Sequence, residues 1–331
     1  MRVSLKAGGL VALACVWLGL VGCDGFREVP RAELEARYAV PTSKFTEVDG
    51  TRIHYTDAGA GPVVVLLPPS FMNLRVWDAT AEILAREFRV IRIDFPVIGL
   101  SGPDPSQDFT MDRFADLLHG LTTTLGVEKF SLVGTSSGGI VAFQYAGRWP
   151  ERVERLVLIN CAGLPRTAAT NPNRPRGGAL SRWWRSHYSS RKARQDSMNS
   201  QMGTGRPAPA ELVTIVHDLN RREGIKEDSA VMLKQFRTGD PQAALAEVRA
   251  PTMIIWGKKN ITLSHLEANV FELWLSGAPS MVLKYDELGH YPYVEDPQRV
   301  AADLSAFFKG ERDDELARTI RQPVAESNVV R

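Results

Sequence analysis

The sequence predicts an α/β fold: a mostly parallel, doubly wound sheet with helices on both faces and one helical insertion. Three observations carry this. Short continuous apolar runs such as "PVVVLLP" and "PTMIIWG" suit strands buried on both faces. They alternate with stretches of helical period, and that alternation builds parallel sheets. The alternation stops between residues 163 and 247, where no strand-like run occurs, and then resumes.

The elements follow in order. "FREVPRAELEARYAVP" reads as a tether with a short helix from Pro30, since proline suits a first helical turn. "KFTEVDGTRIHYTDAG" gives two alternating segments around Asp49-Gly50, the signal of a tight hairpin. "PVVVLLP" is a strand, "RVWDATAEILAREF" a helix and "RVIRIDFP" a strand. In "TMDRFADLLHGLTTTLG" Phe114, Leu117, Leu118, Leu121 and Leu125 share one helical face, with Thr110 as N-cap and Gly126 as stop. "KFSLVG", "GGIVAFQYAGRWP" and "RVERLVLIN" read as strand, helix and strand. After the insertion, "PTMIIWG" and "SMVLKYD" are strands separated by the helical "LSHLEANVFELWLSG", and "PQRVAADLSAFFKG" is a final helix. The core is therefore residues 44–162 and 248–310, the insertion 163–247, and 311–331 a polar tail expected to fray.

The N-terminus has a different character. Arg2 and Lys6 precede an uncharged run that is shorter than the roughly 20 residues of a membrane span, as in an export signal. The run closes on "LVGC", which resembles the lipobox of bacterial lipoproteins. That resemblance implies removal of residues 1–22, lipidation of Cys23 and a tether over 23–43. Asp24 resembles an inner-membrane retention signal, so the expected place is the bacterial cell envelope, anchored to the inner membrane and facing the periplasm. Of three cysteines, Cys15 lies in the signal and Cys23 is the lipid site. Cys161 is then alone, and no internal disulfide is expected. A net charge of +2 gives no support for a nucleic-acid partner. No metal site or Gly-rich cofactor loop is evident.

Gly134-Thr135-Ser136-Ser137-Gly138 fits G-x-S-x-G directly after a strand and before a helix, the context in which this motif marks a nucleophile. A serine hydroxyl needs a base to take its proton. Of six histidines, His290 in "LGHYPYVEDP" occupies a loop after the last strand. His54, His119, His187, His217 and His265 read as surface or packing residues.

With these motifs the chain resembles the α/β-hydrolase superfamily from about Lys44 to Gly310. "RVWD", "GLSGPDP", "LVGTSSGG", "PERVERLVLIN", "PTMIIWG" and "GHYPYVEDP" match in order. The resemblance implies Ser136 as nucleophile, His290 as base, amides of Ser70 and Ser137 as the oxyanion hole, and the insertion as a helical cap. It implies a small acyl substrate and no cofactor. Three departures stand out. Pro68-Pro69-Ser70 replaces the usual His-Gly, and neither proline has an N–H to donate. Pro96-Val97 replaces a usual Pro-Gly, which suggests a bulkier pocket wall. Asn260 stands where the family has its acid, and the less common acid position is also an amide, Asn160.

The asparagine carbonyl can accept from His290 Nδ1–H, orienting the ring without charge. Its NH₂ can instead donate to Nδ1, which puts the proton on the nitrogen facing Ser136. Asp286, Glu287 and Asp240 are substitute acids to weigh. Three activities remain open: a slow or specialised serine esterase, a non-catalytic binding protein that kept the fold, and lyase or C–C bond chemistry. The insertion's first half is rich in arginine, with Trp183 and Trp184 among the arginines of "SRWWRSHY". It suits anionic head groups or an anionic substrate as well as it suits a solvated face.

Overall fold

The computed structural model describes residues 28–97, 99–165 and 190–320, the last three of these in backbone only. The export segment, Cys23 and the Arg/Trp-rich half of the insertion lie outside these residues.

One eight-stranded sheet runs in the order β1-β2-β4-β3-β5-β6-β7-β8. The strands are β1 Ser43–Val48, β2 Thr51–Ala58, β3 Val63–Leu67, β4 Arg89–Ile93, β5 Phe130–Thr135, β6 Val153–Ile159, β7 Thr252–Gly257 and β8 Ser280–Tyr285. β1 and β2 form the antiparallel hairpin, turned through Asp49 and Gly50 at φ 47° and 74°. β2 is antiparallel to β4, and all further pairs are parallel. The central strands are buried along their length because helices cover both faces.

The helices fall into two layers. One face packs against α3 (Met111–Thr124), α4 (Ser137–Arg148) and α9 (Glu267–Trp274), with Phe114, Leu118, Phe143 and Phe271 in one apolar cluster. The other packs against α2 (Asp78–Leu84) and α11 (Pro297–Phe308), where Trp77 stacks on Tyr293 at 4.1 Å. Thr110 caps α3 by accepting from Arg113 N–H, as its sequence position demands. α1 (Arg31–Tyr38) buries Leu34 against Leu219 and Leu100. Between β6 and β7 lie α5 (Arg191–Asn199), α6 (Ala210–Leu219), α7 (Ile225–Gln235) and α8 (Pro241–Ala246). A one-turn helix, α10 (Pro292–Glu295), precedes α11.

Two expectations are corrected. The start of the polar tail does not fray: Asp313–Ile320 forms α12, which buries Leu316 and ties Asp313 to Arg155 at 2.8 Å. One buried apolar residue and an ion pair reaching back to β6 hold it, and a polarity count does not register so sparse a pattern. Val97 is not among the residues that border the recess beside Ser70 and Ser137. It adopts φ 76°, strained for a β-branched residue, and buries its side chain in the core.

Candidate active site

Every candidate residue sits just beyond the C-terminal end of a parallel strand, where open α/β sheets place their ligands. Ser70 follows β3, Ser136 β5, Asn160 β6, Asn260 β7 and His290 β8.

Ser136 occupies a tight elbow with φ 51° and ψ −122°, a conformation that costs a non-glycine residue about 1–3 kcal/mol. The surroundings hold it there. Ser136 N–H donates to the Ile159 carbonyl at 3.1 Å, and its own carbonyl accepts from Gly139 and Ala162, both at 3.0 Å. A Cβ on Gly134 would lie 2.4 Å from the Gly138 carbonyl oxygen, and one on Gly138 would lie 2.4 Å from that of Pro68. The glycines of the motif are thus steric requirements. Ser136 stays partly exposed while its neighbours are buried.

His290 is buried, and Asn260 Oδ1 lies 3.2 Å from its Nδ1. The same Oδ1 accepts from the main-chain N–H of Thr262 at 2.9 Å and Leu263 at 3.1 Å. Those two donors fix the amide, because an NH₂ turned toward them would oppose N–H with N–H. The choice left open in the sequence is thereby decided. Oδ1 faces the ring and Nδ1 carries the proton, so that in the neutral ring Nε2 keeps its lone pair. Asn260 Nδ2 is buried and has no hydrogen-bond partner among the described residues.

The substitute acids lie elsewhere. Asp286 is exposed and paired with Lys258 at 2.7 Å, which holds its carboxyl below the usual range. Glu287 pairs with Arg299 at the surface, and Asp240 caps α8 through Ala243 N–H. Asn160 is a clasp. Its Nδ2 donates to the carbonyls of Gly289 and His290, both at 3.0 Å, and its Oδ1 accepts from Gly257 N–H at 3.0 Å.

Two residues that sequence reasoning missed join the inserted segment to the histidine loop. Glu295 is buried, and its carboxylate accepts from the N–H of Gly203 at 2.6 Å, Thr204 at 3.0 Å and Gly289 at 2.8 Å. Gln201 offers its carbonyl to His290 N–H at 2.8 Å and its side-chain oxygen to the Tyr291 hydroxyl at 3.1 Å. The available signal for Glu295 was an acid closely following the histidine, directly after the run "YPYV". Glu295→Gln should destabilise the fold by about 1–3 kcal/mol, since its NH₂ must oppose a buried N–H. Urea denaturation measures this, and a change under 0.5 kcal/mol would show the clasp to be idle.

At the oxyanion side, Ser70 N–H is already engaged. It donates to Ser137 Oγ at 2.6 Å. Both serines border a small, half-open recess of about 10 Å³ whose other walls include Phe95, Met111, Phe114 and Val141. His54 proves to be a brace. Its Nδ1 lies 2.7 Å from Asp94 and its Nε2 2.8 Å from Ser43 Oγ, which also accepts Val40 N–H. This row pins the first hairpin to the loop after β4. Cys161 is fully buried, and burial pushes its thiol well up, so it is an inert packing group. Among the described residues no group of three His, Cys, Asp or Glu side chains is placed to hold a metal, and no helix is long and apolar enough to cross a membrane.

The chain is similar in sequence and in fold to known proteins. The chain is 25% identical over 268 residues to 2-hydroxymuconate semialdehyde hydrolase of a Pseudomonas strain, covering 78% of this chain and 90% of that one. It is 24% identical over 256 residues to pimeloyl-[acyl-carrier protein] methyl ester esterase of Nitrosomonas europaea, covering 77% and 98%. In fold it is similar to the crystal structure of a bacterial membrane phospholipase A, with a TM-score of 0.69 and 22% identity over 92% of this chain and 98% of that one. Residues 62–297 match the family model of the alpha/beta hydrolase fold. With hydrolases among its relatives, and a family match spanning most of its length, the chain belongs to the α/β-hydrolase family.

Proposed function

We propose that the protein is a lipid-anchored serine hydrolase of a carboxylic ester or similar acyl bond. Ser136 is its nucleophile, His290 its base and Asn260 a neutral orienter. The observation that carries this reading is Asn260 Oδ1, fixed by two main-chain N–H groups and facing His290 Nδ1. It selects the tautomer whose Nε2 can take a proton from serine.

The chemistry then runs in two halves. Ser136 Oγ attacks the acyl carbon while its proton passes to His290 Nε2, and the carbonyl oxygen becomes an oxyanion. The N-terminal end of α4 favours that charge. As the oxyanion collapses, the leaving oxygen takes the proton from Nε2 and departs as the alcohol. Water, deprotonated by the same Nε2, attacks the acyl-serine and frees the acid and Ser136. Replacing the acid of a Ser–His–Asp triad by its amide costs roughly 10⁴ in kcat, chiefly through the wrong tautomer. Here the tautomer is kept, so the deficit is confined to the missing charge on the imidazolium.

Labelling of Ser136 by a fluorophosphonate, followed by an acyl-chain ester panel, tests the reading. Labelling that Ser136→Ala removes is the expected result. An unreactive Ser136 would favour a binding protein. The similarity to 2-hydroxymuconate semialdehyde hydrolase supports C–C bond hydrolysis as a second reading. Turnover of a vinylogous diketone without any ester turnover would select it.

The lipid anchor rests on Arg2, Lys6 and "LVGC". Several acyl methylenes at about 0.8 kcal/mol each hold a multiply acylated cysteine in a bilayer. Cys23→Ser should move the protein from the membrane fraction to the soluble one or stall its processing. Unchanged fractionation with an unchanged mature mass would refute the anchor.

A further inference from the structure

We propose that the Ser137 side-chain hydroxyl is itself a donor of the oxyanion hole, a catalytic group through which the Ser70 amide acts. This rests on the serine-hydrolase reading above, which needs only the amide of Ser137.

The resting geometry is the starting point. Ser70 N–H is aimed at Ser137 Oγ at 2.6 Å, so this amide does not stand open to an incoming carbonyl. Pro68 and Pro69 have no N–H to replace it. The Ser137 hydroxyl accepts this bond and donates to no described residue, so its own proton is uncommitted. It sits on the first residue of α4, beside Ser136, with only 8% of the residue exposed.

Two outcomes are open when substrate arrives. The hydroxyl can rotate away and return Ser70 N–H to the oxyanion, or it can stay and donate its proton. Rotation breaks its bond with Ser70 N–H, and the side chains of Phe95, Met111, Phe114 and Val141 that wall the recess offer no strong donor or acceptor in its place. A buried hydroxyl stranded in this way is disfavoured by roughly five- to hundredfold. Staying keeps its bond and adds one. The Ser70 N–H polarises the hydroxyl, and the hydroxyl binds the oxyanion, so each bond strengthens the next. A hydrogen bond to an ionised acceptor is roughly twice as strong as one to a neutral carbonyl. The gain is therefore concentrated in the transition state, where it raises kcat. The framework cannot easily drift, because Gly138 is already in close contact with the Pro68 carbonyl. Such fixed donors cost no reorganisation at the moment of reaction.

The test uses the full-length protein, a p-nitrophenyl ester and a fluorophosphonate. Ser137→Ala should lower kcat by about ten- to hundredfold with KM nearly unchanged. Ser137→Thr keeps the hydroxyl and should recover most of it. Ser137→Cys keeps the shape but holds only a weak donor, and should fall with the alanine variant. Complete labelling of each variant by the probe, at whatever rate, verifies that Ser136 is still correctly presented. If the alanine and cysteine variants match or exceed the wild-type kcat, the hydroxyl is dispensable or an obstacle and the proposal is wrong. If wild-type Ser136 does not label, the serine-hydrolase reading fails first and this proposal falls with it.

Discussion

Asn260→Asp should raise ester turnover by about ten- to hundredfold, which corresponds to about 1.4–2.7 kcal/mol of transition-state stabilisation. The substitution is nearly isosteric. One carboxylate oxygen takes over the place of Oδ1, keeping the bonds from Thr262 N–H, Leu263 N–H and the His290 ring. The other replaces Nδ2, a buried donor with no partner among the described residues, so no existing hydrogen bond is broken. The new charge stabilises the imidazolium formed as Ser136 attacks. The gain stops short of the roughly 10⁴ lost when a triad aspartate becomes an amide, because the correct tautomer is already present here. Adding Ser136→Ala should erase it. A neutral or harmful Asn260→Asp, with wild-type activity intact, would show that His290 works without support from this position.

Asn160→Asp should act in the opposite direction and cost the fold about 3–5 kcal/mol, the scale of an unpaired buried charge. Asn160 is fully buried, and its Nδ2 donates to the Gly289 and His290 carbonyls. A carboxylate would set oxygen against two oxygens at about the same distance, with one main-chain N–H from Gly257 on its far side. The histidine loop would be released from the end of β7, and activity would fall with stability. Urea denaturation and ester turnover together measure this. A loss below 1 kcal/mol would mean that the clasp does not hold the loop. The same geometry explains why this amide is no vacancy for a displaced acid: it faces main-chain carbonyls.

Much of the fold was legible because it is written in local patterns. The Asp49-Gly50 hairpin, the Thr110 cap and the apolar runs of β3, β5 and β7 each rest on period, turn chemistry or capping. Ser136 was legible because a steric rule ties two glycines to one elbow, and His290 because it follows the last strand. Asn260 was identified as a position, and its orientation was not. Glu295 and Gln201 gave little warning, since a buried acceptor of three amides differs from a surface acid only by what folds over it. α12 was misjudged for a related reason: it is held by burial of Leu316 and by the pairing of Asp313 with Arg155, which is distant in sequence.

By itself, then, the sequence determined the α/β order, the strand ends that carry Ser70, Ser136, Asn160, Asn260 and His290, and the serine elbow, because backbone sterics and hydrophobic period act over a few residues. Only the tertiary structure decided which way the Asn260 amide faces, that Asn160 clasps the histidine loop, and that Ser70 N–H meets the Ser137 hydroxyl. The last two depend on a hydrogen bond whose partner arrives from another strand end, and the first on a loop that turns the N–H groups of Thr262 and Leu263 back onto the Asn260 oxygen. An amide or hydroxyl has no preferred partner until the sheet brings one within about 3 Å.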